Sequence, residues 1–252
     1  MKFKLTVIGL SLLGLIIWSC NDLDDVAKKQ ETCLPTNLQN GVIAFYPFNS
    51  GSINDFSGNN YHLTNTTSAT SGIDRAGNTN CAFKFIAANG KYLKYINPTF
   101  INDFQTLPFS ISFWYFDGPN STTDYELLIG RDDILHCPDT NGQWSIGLYD
   151  GQNPVFGINE NEIWGDTSLL NNQWKHLVVT CQGTDLKIYV NGVLTTDFVY
   201  HGLCDTYVPT LNLGDLFIGK EFTGSIDDIL IYNRILPTTE ITQLYNLPAC
   251  CQ

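Results

Sequence analysis

The chain has 252 residues, with 25 Asp and Glu against 13 Lys and Arg and a formal net charge of −12. That excess of anion repels phosphate backbones and argues against nucleic acid as a partner. Aromatics reach 13% while charged residues are only 15%, a balance that suits a β-rich domain with polar, mostly uncharged loops.

In chain order, Lys2 and Lys4 precede an apolar run from Leu5 to Trp18. The run is short for a membrane span and right for a secretion signal. It ends "IIWSCN", where Ile17, Ser19 and Cys20 resemble the lipobox of bacterial lipoproteins. That resemblance implies a signal peptide over residues 1–19, a lipid on Cys20 and attachment to a membrane. The acidic "NDLDDV" behind Cys20 is similar to a surface-export signal of outer-membrane lipoproteins, which implies an outer-membrane, surface-exposed location. Residues 20–40 are polar and without periodicity, so we read them as an acidic tether, and residues 41–252 as one domain.

From Gly41 onward short apolar runs are split by Gly, Asn, Asp and Pro. "GVIAFYPF" (41–48), "CAFKFI" (81–86), "KYLKYI" (91–96), "PFSISFWYF" (108–116) and "YELLIG" (125–130) are predicted strands. So are "WSIGLY" (144–149), "WKHLVVT" (174–180), "DLKIYV" (185–190), "VLTTDFVY" (193–200), "LFIG" (216–219) and "TGSIDDILIYNR" (223–234). In the fourth of these, Phe109, Ile111, Phe113 and Tyr115 alternate with Ser110, Ser112, Trp114 and Phe116, a period of two. Asn191-Gly192 between two runs is a strong hairpin signal. Only residues 237–246 read as helical, with Pro237 at the start and Ile241, Leu244 and Tyr245 on one stripe. Many short strands with regular turns predict a sandwich or barrel. Past Cys20 seven cysteines remain, an odd number, so at least one stays outside intrachain disulfides. Cys33 is expected to bond Cys250 or Cys251, because domain termini often lie close together.

Four ordered blocks, residues 41–63, 171–194, 216–236 and 238–245, together resemble laminin-G-like, concanavalin A-like domains. The quoted features are the Phe-Tyr-Pro-Phe and Asp-x-Ser-Gly-Asn of the first block, the Tyr-Val-Asn-Gly hairpin of the second and the Gly-Ser-Ile-Asp-Asp strand of the third. The resemblance implies an all-β, two-sheet antiparallel jelly-roll sandwich with one short C-terminal helix. Members include lectins, adhesion modules and glycan-cleaving enzymes, so fold alone does not settle function.

The adjacent Asp227 and Asp228 pose a problem on a strand, where neighbours point to opposite faces and one of them turns inward needing a partner. The resemblance implies a structural calcium held by Asp55, Asn60 and Asp227, with backbone carbonyls completing an oxygen shell. Backbone N–H groups of the early loop are the alternative partners for Asp227.

Trp164, Trp144 and Tyr207 lie among polar residues and are candidate platforms for stacking sugar rings, whose C–H faces are apolar. Trp114 and Trp174 read as core. Glu160 and Glu162 on one strand face would stand roughly 6.5–7 Å apart, near a glycosidase pair. The expectation is a lipid-anchored, non-catalytic recognition module that binds a glycan or surface protein. A glycan-cleaving enzyme using Glu160 and Glu162, or a structural subunit of an outer-membrane assembly, are the alternatives.

Overall fold

The computed structural model describes residues 33–118, 125–131, 143–149, 153–158, 161–165, 172–201 and 214–251. The strands are β1 (Val42–Tyr46), β2 (Thr70–Ile73), β3 (Thr79–Phe85), β4 (Leu93–Tyr95), β5 (Phe109–Asp117), β6 (Tyr125–Gly130), β7 (Trp144–Tyr149) and β8 (Asn153–Ile158). They continue as β9 (Asn161–Gly165), β10 (Trp174–Gln182), β11 (Asp185–Val190), β12 (Val193–Leu194), β13 (Thr196–His201), β14 (Leu216–Ile218) and β15 (Gly224–Tyr232). Two α-helices, α1 (Thr36–Gln39) and α2 (Thr238–Tyr245), flank them in sequence.

One sheet runs β12-β11-β10-β5-β15-β3-β2, with β1 also paired to β15; the other runs β13-β9-β8-β7-β6-β14-β4. All pairings are antiparallel. The predicted sandwich is therefore present. The run 193–200 is not one strand: β12 closes the first sheet and β13 the edge of the second. Their hairpin entry is as expected, since Asn191 and Gly192 both adopt positive φ (51° and 80°), as a two-residue turn requires. The strands β2, β8 and β9 were not predicted.

The period-two pattern of β5 fixes its inward face. Phe109, Ile111, Phe113 and Tyr115 are fully buried between the sheets, together with Leu177 and Val179 of β10 and Ile146, Leu148 and Phe156 of the second sheet. Each such side chain contributes roughly 1.5–3 kcal/mol by leaving water. A second apolar cluster lies on the far side of the first sheet, where Ile241 and Leu244 of α2 meet Phe45, Val178, Leu230 and Tyr232.

Leu34 and Leu38 join that second cluster, and the Tyr232 hydroxyl donates to the Leu38 carbonyl at 2.9 Å. Residues 33–40 thus belong to the fold and not to a tether; a lone turn with two buried leucines is too short to show helical periodicity. Cys33 bonds Cys250, as expected, with Cα atoms 5.3 Å apart. Cys81 bonds Cys251. Among the described residues Cys181 is the free thiol, buried and pushed up to about 12 by that burial.

Candidate ligand-binding faces

The paired acids of β15 are held by an arginine that sequence reasoning missed. Between Asp227 and Leu230 the register against β5 shifts, and Asp228 sits at φ 46°. This bulge breaks the alternation, so both carboxylates are buried and both reach the same guanidinium. Arg75 Nη1 donates to Asp228 Oδ2 at 2.6 Å and to Asp227 Oδ2 at 3.4 Å. Its Nη2 donates to the Pro248 carbonyl at 2.9 Å, and the guanidinium lies 4.3 Å from the Trp114 ring centroid. Burial is the main force raising both acids' pKa values, which the arginine opposes.

Asp55 is engaged elsewhere. Its Oδ1 accepts from the Phe45 and Ser57 backbone N–H groups, and its Oδ2 from the Ser57 hydroxyl and the Tyr61 N–H, at 2.8–3.0 Å. Asn60 Nδ2 is 3.5 Å from the Gly58 carbonyl. Calcium demands free oxygen lone pairs. Here four protein donors occupy Asp55 and a guanidinium faces Asp227, so the donor set does not fit the ion as the side chains stand. Asp227 is also not held by the early loop; its partners are Arg75 and the N–H of Asp228, at 2.7 Å.

On the second sheet, Ile163 points into the core and Trp164 therefore points outward. Trp164 is half-buried, and its indole N–H donates to Glu162 Oε1 at 2.5 Å. The Tyr149 ring lies 4.9 Å from it, centroid to centroid. Tyr125 pairs with Tyr149 across β6 and β7, and its ring lies over Gly147, where an added Cβ would collide with it. Tyr125, Tyr149 and Trp164 thus make an aromatic row on one outward face. Glu162 is fully buried and fixes the indole. Its proposed companion Glu160, and also Tyr207 and Cys20, lie outside the described residues.

Trp144 is no platform. It is fully buried between the sheets, with Phe109 at 6.1 Å and Phe104 at 6.3 Å. Trp174, expected in the core, is instead half-buried on the outward face of the first sheet beside Phe116, at 5.8 Å. Phe113 and Tyr115 face inward, so Phe116 faces outward, and so does Trp174, which the register of β10 against β5 sets opposite it. Trp174 and Phe116 help line a groove of about 680 Å³.

Behind that groove Asp117 and Lys175 point inward beside Tyr115. Asp117 is fully buried, and neither of its oxygens nor Lys175 Nζ has a hydrogen-bond partner among the described residues. Burial pushes Asp117 up to about 6, against the opposing pull of Lys175. The native state therefore holds a proton that the unfolded chain releases near pH 4. Stability from this group is full below pH 4 and falls as pH rises to about 6. Urea unfolding of Asp117→Asn is expected to lack this component, worth about 2–3 kcal/mol between those pH values.

Two stacked antiparallel sheets form a jelly-roll-like β-sandwich. The chain belongs to the concanavalin A-like lectin/glucanases superfamily, whose laminin G-like family model matches residues 88–242. No curated protein matches it. Among solved structures it is similar to the binding domain of Paraclostridial Mosquitocidal Protein 1, with 21% identity over 83% of this chain and 52% of that one, at a TM-score of 0.63. The binding domain of botulinum neurotoxin DC in complex with rat synaptotagmin II shows 18% identity over 82% and 52%, TM-score 0.61. A botulinum neurotoxin type C structure, whose cell entry depends on two ganglioside molecules, shows 20% identity over 83% and 52%, TM-score 0.58. The chain spans about half the length of these structures.

Proposed function

We propose that the protein is a non-catalytic recognition module that holds a glycan or a surface protein on the outward face of its seven-stranded sheet. The row Tyr125, Tyr149 and Trp164 carries this reading. It presents rigid aromatic surface, and Glu162 holds the indole in one orientation. Aromatic faces stack on the C–H faces of sugars and anchor protein interfaces equally well. The neighbours that engage synaptotagmin II and gangliosides support the reading through shared fold. We further propose a lipid on Cys20 that displays the module on the outer membrane, where crowding of weak sites adds avidity. Metabolic labelling with palmitate tests it: Cys20→Ala is expected to abolish incorporation.

A glycan array with the wild-type protein and Trp164→Ala tests the binding reading. Retention of glycans by the wild type, lost at least tenfold in the variant without hydrolysis of any glycan, is expected. Retention unchanged in the variant, or release of reducing ends that Glu162→Gln abolishes, overturns it.

A further inference from the structure

A second face carries a row of side chains that the reading above does not use. Backbone register places Trp174 opposite Phe116, Phe116 opposite Ser225, and Ser225 opposite Lys84. The four strands β10, β5, β15 and β3 therefore align these side chains straight across the outward side of the first sheet, over about 14 Å at the usual strand spacing. The groove they help line, about 680 Å³, is inside the range of roughly 300–1,000 Å³ typical of ligand pockets.

The row has a chemical direction. At one end the half-buried Trp174 and Phe116 offer aromatic surface. In the middle the Ser225 hydroxyl makes no hydrogen bond among the described residues. At the other end Lys84 is exposed and pairs with no carboxylate among them. Next to Lys84 stands Gly72, so no side chain fills the floor there. The nearby carboxylate, Asp74, is already engaged. Its Oδ1 accepts from Ala76 and Asn78 N–H groups at 2.9 and 2.8 Å, and its Oδ2 from Asn78 Nδ2 at 2.9 Å.

We propose that this groove binds a carboxylate-bearing oligosaccharide. A sugar ring stacks on Trp174 and Phe116, Ser225 bonds a ring hydroxyl, and the Lys84 ammonium takes the carboxylate. An apolar ligand would leave Lys84 and Ser225 unused, and a phosphate dianion would bring twice the charge of a carboxylate to a single cation on a chain of net negative charge. Polyuronate chains and sialylated glycolipids both carry such a carboxylated ring.

Calorimetric titration of the whole protein with galacturonate trimer, hyaluronan tetrasaccharide and sialyllactose tests the assignment, with each carboxyl-reduced counterpart as control. Binding of at least one acidic oligosaccharide is expected, weakened about tenfold by Lys84→Met and lost in Trp174→Ala. The carboxyl-reduced form is expected to bind about tenfold more weakly and to be indifferent to Lys84→Met. Uronate binding names a polysaccharide source, and sialyllactose binding a glycolipid or glycoprotein source. Trp164→Ala is expected to leave these affinities unchanged, so loss there alone would place the ligand on the other face and overturn this inference while sparing the first. No binding of any acidic sugar, or Lys84→Met without effect, also overturns it. Circular dichroism confirms that both variants fold.

Discussion

Arg75→Ala is expected to lower stability by roughly 3–5 kcal/mol at neutral pH, the usual consequence of leaving a buried charge without its partner. Two carboxylates lose their counter-charge at once. Asp227 is fully buried and Asp228 is 5% exposed, so water replaces the guanidinium poorly. Two carbonyls near the C-terminus, of Leu247 and Pro248, also lose a donor, and Trp114 loses its cation. Urea unfolding measures the change. Adding Asp227→Asn and Asp228→Asn to the alanine variant is expected to restore most of it, because neutral amides tolerate the site. Equal instability in the triple variant would show that packing of the arginine stem, and not charge, carries the effect.

The second large effect is acid sensitivity at His176. The imidazole is buried under α2, its Nε2 is 2.8 Å from the Ser112 hydroxyl, and its Nδ1 has no hydrogen-bond partner among the described residues. Burial, reinforced by the nearby positive Arg75, holds the ring down to about 3, against an ordinary value of 6.5. The unfolded chain therefore binds a proton below pH 6.5 that the native state refuses until about pH 3. Stability is full above pH 6.5 and is lost as pH falls through that window, with a magnitude of order 5 kcal/mol. Denaturation midpoints of His176→Gln are expected to be flatter between pH 6.5 and 3 than those of the wild type. Parallel profiles would refute the buried neutral imidazole.

Much of the sandwich was legible because β5, β10 and β15 are long and their apolar residues outlast local noise. The exposed β2 and the short β8 and β9 escaped notice, since a strand of four to six residues gives few alternations to read. Faces were harder than strands. Trp144 sits beside Gln143 and looked open, yet it begins the inward series Trp144, Ile146, Leu148. Trp174 looked like core, yet its register against Phe116 turns it outward. Which face is which depends on pairing between strands distant in sequence, and local composition does not encode it. The same distance hid Arg75, which lies 152 positions from Asp227 in a polar turn with no periodicity to mark it. The two acids showed that a partner was needed but not where it lay.

The disulfides carry a mechanical consequence. Cys250 and Cys251 are chain neighbours, yet one is bonded to Cys33 and the other to Cys81. Tension entering at Cys33 passes through two sulfur bridges and a single peptide unit to reach Cys81, bypassing β1 and the Asp55 loop. Hydrogen bonds yield singly under traction, whereas covalent links hold. Reduction would reroute that tension through β1, the strand that follows Cys33, and leave its pairing with β15 to bear the load.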